Sequence, residues 1–201
     1  MLFAGLHGTL EVRQSDGGET RLRGAFPYGR ETVLHDGGGR AGQARREAFA
    51  SRAFSRRVSD ADADIHLLAS HSFDKPLASR GAGTLTLTDD EDALRFEARI
   101  AADMAKVSWV ADALGALKGG LVRGLSPGFR VPDLAGAEEV KSDANGLLRT
   151  VRQADLFEIS AVTVPAYDGA QIEARSWQVD ATEPKQITGR LGFDPRARWR
   201  L

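Results

Sequence analysis

From Thr84 to Ile100 apolar and polar residues alternate. Leu85 and Leu87 sit between threonines. Leu94, Phe96, Ala98 and Ile100 interleave with Arg95, Glu97 and Arg99. A period of two predicts a half-buried hairpin turning at residues 89–92. The same period predicts a strand over 64–71, with Ile65, Leu67, Ala69 and His71 on one face. It also predicts two strands, 3–13 and 20–26, around a turn at 15–18. Residues 147–152 and 155–164 read as strands, and Leu156 to Val164 is the most β-prone stretch of the chain. Asn145-Gly146 just before them is a hairpin signal at the end of a polar insertion, 133–146.

Helical spacing is clearest after Asp103, a candidate N-cap. Met104, Val107, Val110, Ala111, Leu114 and Leu117 share a face, and Gly119-Gly120 stops the helix. A second, shorter helix is predicted over 45–55, where Phe49 and Ala53 stand four apart. Residues 28–43 are rich in glycine and charge and read as a loop. Residues 60–64 and 74–76 read as turns. Residues 170–177 read as an edge strand or short helix, and the polar, proline-bearing segment from Gln178 reads as a flexible basic tail. The expected organisation is one domain over 1–177 and a tail over 178–201.

Composition narrows the function classes. The chain has 201 residues with a formal net charge of −1. That balance does not advertise nucleic-acid binding. It has no cysteine, hence no disulfide, thiolate metal site or cysteine nucleophile. No apolar run approaches a membrane span of ~18 residues. The N-terminus lacks the pattern of a signal peptide, so an intracellular protein is expected. Gly37-Gly38-Gly39 lacks a following Lys-Ser/Thr, which excludes a phosphate loop.

Candidate chemistry centres on Gly124-Leu125-Ser126-Pro127-Gly128-Phe129-Arg130. A serine between glycines can meet a substrate carbonyl closely. The five residues Gly124 to Gly128 match the nucleophile elbow of α/β-hydrolases. That elbow needs a helix directly after the serine, which Pro132 opposes, and a histidine downstream. All four histidines (His7, His35, His66 and His71) precede Ser126. A histidine-first arrangement on strands remains. Ser126 needs a base, and His71, at the end of an apolar strand, is the better candidate. As strand residues His66 and His71 would point to opposite faces, so a shared metal is not expected. Glu158 stands inside the most apolar strand, where an unpaired carboxylate is costly. Its partner is either an arginine, Arg149 or Arg152, or His71.

Taken in order, these stretches resemble the prohead proteases of tailed bacteriophages of the HK97 type, found also in prophages and gene-transfer-agent clusters. The resemblance runs over residues 5–176. It is carried by Glu47 to Phe54 (Glu-x-Phe-x-x-x-Ala-Phe, a helix), by Ile65 to Leu77 with its histidine and Pro-Leu, and by a hairpin and helix. Gly-x-Ser-x-Gly-Phe at 124–129 and Leu-x-Glu-Ile-Ser-x-Val-Thr-x-Pro-Ala at 156–166 complete it. Two positions depart from the family pattern: Ala78 replaces a glycine after Pro-Leu, and Pro127 replaces a small aliphatic residue.

The resemblance implies an α+β, mostly β fold: a closed antiparallel β-barrel with flanking helices, like the herpesvirus assemblins. It implies a serine endopeptidase with Ser126 as nucleophile, His71 as base and Glu158 as third member, with Asp155 and Asp168 as rivals for that place. Pro127 removes the N–H after the nucleophile, so the oxyanion falls to the Gly128 N–H or to an arginine such as Arg130 or Arg152. No cofactor or metal is implied. The implied partners are the major capsid protein with its N-terminal scaffolding segment and the protease itself, by self-cleavage and homo-oligomerisation, inside the procapsid in the bacterial cytoplasm. No nucleic-acid or membrane partner is implied. Two other readings stand beside it: a capsid-assembly scaffold or chaperone of the same fold without activity, and an α/β-hydrolase esterase.

Overall fold

A computed structural model describes residues 9–14, 18–38 and 42–163. The strands it describes form three four-stranded sheets. The first is ordered β1-β2-β8-β7 (Thr9–Gln14, Thr20–Pro27, Ala93–Ile100, Leu85–Asp89). The second is β10-β11-β4-β3 (Glu138–Asp143, Gly146–Val151, Ala44–Phe49, Thr32–Asp36). The third is β6-β5-β12-β9 (Ser72–Ser79, His66–Ala69, Asp155–Val162, Gly124–Arg130). Two α-helices accompany them among the described residues, α1 (Ser55–Val58) and α2 (Ser108–Lys118).

The alternating segments fold as their period demands. Leu85, Leu94, Phe96, Ala98 and Ile100 are buried in one core with Leu22 and Phe26 of β2. Leu67 of β5, Leu125 of β9 and Ile159 and Ala161 of β12 join the same core, so the first and third sheets share it. A Cβ at Gly24 of β2 would press into the Phe96 ring of β8 and stand 2.8 Å from Leu125 Cδ1 of β9, so a side chain there would have to displace both. β1 lies against β9 and β6 against β8. No ladder joins them among the described residues, so the expected barrel is not closed by pairing. Nor is the sheet wholly antiparallel: β4 runs parallel to β11 and β5 parallel to β12. Each of these parallel pairs joins segments far apart in sequence, which a hairpin reading cannot anticipate.

Several local expectations are corrected, among them the turn at 74–76, which lies inside β6. The first part of the helix predicted over 45–55 lies in the strand β4 (Ala44–Phe49), held between β3 and β11. Its charges, which suit a helix surface, are paired across the sheet instead. Arg46 holds Asp143 at 2.5 Å and Arg149 Nη1 holds Glu47 at 2.6 Å. Ladder and ion pairs together override helix propensity. The glycine-rich segment 28–43 contains β3, in which Thr32 and Leu34 face inward, and the polar insertion contains β10. The turn between β10 and β11 falls at Ala144-Asn145, where the hairpin signal lies. Asp103 precedes only a 3-10 turn, Met104–Lys106, without a side-chain capping bond, and helix α2 starts at Ser108 behind Val107. It buries Val110, Leu114 and Leu117 and ends at Gly119. The expected strand or helix at 170–177, the tail and Asp168 lie outside the described residues.

Candidate active site

A bulge in β12 sets the site. Leu156, Ile159 and Ala161 all enter the core, which strict alternation forbids for 156 and 159 together. The register against β9 slips between Leu156 and Glu158, so Phe157 is the extra residue. The slip turns Glu158 away from the core side and onto the opposite face, beside Ser160. There Ser160 Oγ donates to Glu158 Oε2 at 2.6 Å.

Strand β9 brings Ser126 to that face. Ser126 is the Cα partner of Ser160, and Gly128 that of Glu158. Residues directly opposite in an antiparallel pair share a face. A Cβ at Gly128 would stand 2.7 Å from Glu158 Cδ and 2.8 Å from Cγ, and closer still to Oε1. The carboxylate arm therefore lies across Gly128, over the strand that carries the serine.

His71 arrives from the other side. Strand β5 ends at Ala69, and Ala69 pairs with Ser72 of β6, leaving Ser70 and His71 as a two-residue turn. Both have positive φ, 53° and 59°. That is the combination of a type I′ turn, which ordinarily takes Asn-Gly. Neither residue here is glycine, and the left-handed conformation costs about 1–2 kcal/mol for each. The turn removes His71 from the strand period that the sequence suggested. Its ring reaches Glu158: Nδ1 lies 2.7 Å from Oε1. A carboxylate only accepts, so Nδ1 carries the proton and Nε2 is left as the basic nitrogen.

The open choice of partner for Glu158 is resolved by these contacts. Arg149 is engaged with Glu47 and Glu138, and Arg152 with Glu139 at 2.5 Å. Asp155 binds Arg56 at 2.8 Å. His66 is the Cα partner of Glu158 on the β5 side, and its ring stacks edge-on against Phe73. His35, in β3, lies in the second sheet. His7 lies outside the described residues.

The backbone around Ser126 follows from one bond. Ala161 O accepts from Ser70 N at 3.1 Å, on the β5 side of β12. Main-chain groups of successive residues point to alternate sides, so those of Ser160 and Glu158 face β9. In turn Ser126 and Gly128 face β12 and Pro127 faces the outer edge, where its missing N–H breaks no ladder bond. The Gly128 N–H is thus directed into the sheet. Arg130 is about 13 Å of strand beyond Ser126, its guanidinium 5.9 Å from the Phe157 ring. Ser126 itself is only 3% exposed. Among the described residues no three histidine or carboxylate side chains gather as metal ligands. Nor is any helix there long and apolar enough to cross a membrane.

The bonds of Ser160 were not legible in the sequence. Its signals were its place two residues after a carboxylate in a β-prone run and its presence in the Leu-x-Glu-Ile-Ser stretch.

No curated protein and no solved structure matches the chain. Residues 9–185 match the family model of the caudovirus prohead serine proteases. That span covers most of the chain, so the chain belongs to the caudovirus prohead serine protease family.

Proposed function

We propose that this protein is a serine endopeptidase of the Ser-His-Glu type that matures a phage-like procapsid by cutting the scaffolding segment from the major capsid protein, and that it also cuts itself. The observation that carries the reading is the 2.7 Å bond between His71 Nδ1 and Glu158 Oε1 on the face that Ser126 shares. His71 Nε2 takes the Ser126 proton as Oγ attacks a peptide carbonyl. Glu158 keeps the ring in the required tautomer and balances the imidazolium that forms. The imidazolium then protonates the leaving amine, and water attacks the acyl-enzyme with the same base.

Two features shape the cycle. Ser126 is buried, so substrate reaches its Oγ only as neighbouring groups move aside. The N–H after the nucleophile is missing and that of Gly128 runs toward β12. The oxyanion donors are therefore completed as substrate binds, and Arg130 contributes only by leaving Phe157. Gly128 serves chiefly as the space that Glu158 occupies.

The test is coexpression with the cognate major capsid protein. The wild-type chain shortens it, whereas Ser126→Ala and His71→Ala leave it full length, with rates lower by about 10³-fold or more. Cleavage that survives Ser126→Ala overturns the reading. A capsid protein left intact by the wild type, yet assembled with its help, favours the inactive scaffold.

A further inference from the structure

We propose that Ser160 is a positioning residue of this site, whose single hydroxyl fixes both the Glu158 carboxylate and the backbone of His71. Ser160 is completely buried. Its Oγ donates to Glu158 Oε2 at 2.6 Å and accepts from the His71 backbone N at 2.9 Å. A hydroxyl has one proton and two lone pairs. The proton goes to the carboxylate, which only accepts, and a lone pair takes the amide. With the bond from His71 Nδ1 to Glu158 Oε1 these contacts close a ring: His71 amide, Ser160 Oγ, the two oxygens of Glu158, His71 imidazole.

That ring supplies what the local structure lacks. His71 stands at φ 59° in a turn without glycine, and its side chain is 35% exposed, so packing alone does not hold it. Ser160 is held firmly by contrast, paired with Leu68 on one side and Ser126 on the other. The hydroxyl thereby refers the histidine to the strand position opposite Ser126. A serine that served only to satisfy a buried carboxylate would have no reason to take the His71 amide as well.

The inference rests on the reading of Ser126 and His71 as nucleophile and base, and the experiment separates the two. Ser160→Ala removes both bonds; Ser160→Thr keeps a hydroxyl; Ser160→Cys keeps the volume with a weak donor. Each full-length variant is treated with a fluorophosphonate to obtain the rate of serine labelling. The hydrogen-bonded His71 Nδ1 proton is followed by NMR. Ser160→Ala is expected to label about 10–100-fold more slowly, and its Nδ1 proton signal to be lost to exchange. Ser160→Thr is expected to keep both, and if the alanine variant does not fold, Ser160→Cys falls between the wild type and a Glu158→Ala chain. Wild-type labelling with an unchanged proton signal in Ser160→Ala overturns the proposal. So does equal loss in the alanine and threonine variants when both are folded. Labelling that persists in Ser126→Ala refutes the nucleophile assignment instead, and the proton signal still reports on Ser160.

Discussion

Gly128 and Glu158 face each other across the β9–β12 pairing, and the carboxylate arm of Glu158 fills the volume that any side chain at 128 would need. The contact joins two features that look unrelated in the sequence: a glycine two residues after a serine, and a carboxylate in an apolar strand. The glycine is required by space, not by a positive φ.

Gly128→Ala is therefore expected to act through Glu158. The added methyl displaces the carboxylate and breaks its bond to His71, and a misplacement of this kind lowers kcat/KM by about 10²-fold. The fold is kept, because only the end of one side chain must move. Peptide cleavage and thermal unfolding measured together check this. Full activity in the alanine variant would mean that Glu158 does not act where it lies.

Stability in the second sheet rests on a buried charge cluster. Arg149 is 3% exposed and bonds Glu47 at 2.6 Å and Glu138 at 2.7 Å. Arg149→Met removes a buried cation that bonds buried Glu47 and part-buried Glu138, and is expected to cost about 3–5 kcal/mol. Adding Glu47→Gln recovers part of the loss, since it removes one of the buried charges that Arg149 offsets. Urea denaturation of the two variants at neutral pH measures both steps.

A pH signature is expected from Tyr28, whose hydroxyl donates to Asp89. Burial, and then the bond to Asp89, push the Tyr28 phenol well above its ordinary value of 10.0. The folded state thus favours the protonated phenol. Its contribution is complete below pH ~10, where the unfolded chain also keeps the proton, and declines as pH rises further. Tyr28→Phe should be less stable than the wild type at neutral pH by about 1–2 kcal/mol, having lost a partly buried hydrogen bond to a carboxylate. The gap should narrow above pH ~10 at up to about 1.4 kcal/mol per pH unit. Denaturation curves from pH 7 to 11 test it, and a constant gap would refute it.

Candidates for the site were named before any fold was known. Residue chemistry singled out a serine between glycines, a histidine upstream and a carboxylate too costly to leave unpaired, and the family resemblance assigned their roles. Their partners were not legible. Arg149 and His71 were equal claimants for Glu158 until the ladders placed Arg149 in the second sheet beside Glu47. Residues 44–49 misled for a related reason. Their charges pair across strands, and a pattern read along one segment does not contain its neighbours.

What the sequence determined by itself is whatever depends on neighbours along the chain. The alternation from Leu85 to Ile100, the stop of α2 at Gly119 and the turn before Gly146 are local, and period and backbone preference suffice for them. The tertiary structure alone decided the slip at Phe157 and the turn at Ser70-His71. The first moves Glu158 from the core side to the side of Ser126. The second takes His71 out of its strand and over the carboxylate. Both oppose local preference, since a bulge breaks a ladder and a left-handed serine and histidine are strained. They persist because pairing on both sides of β12 and the bonds of Ser160 hold them, and those forces arise only once distant segments have met.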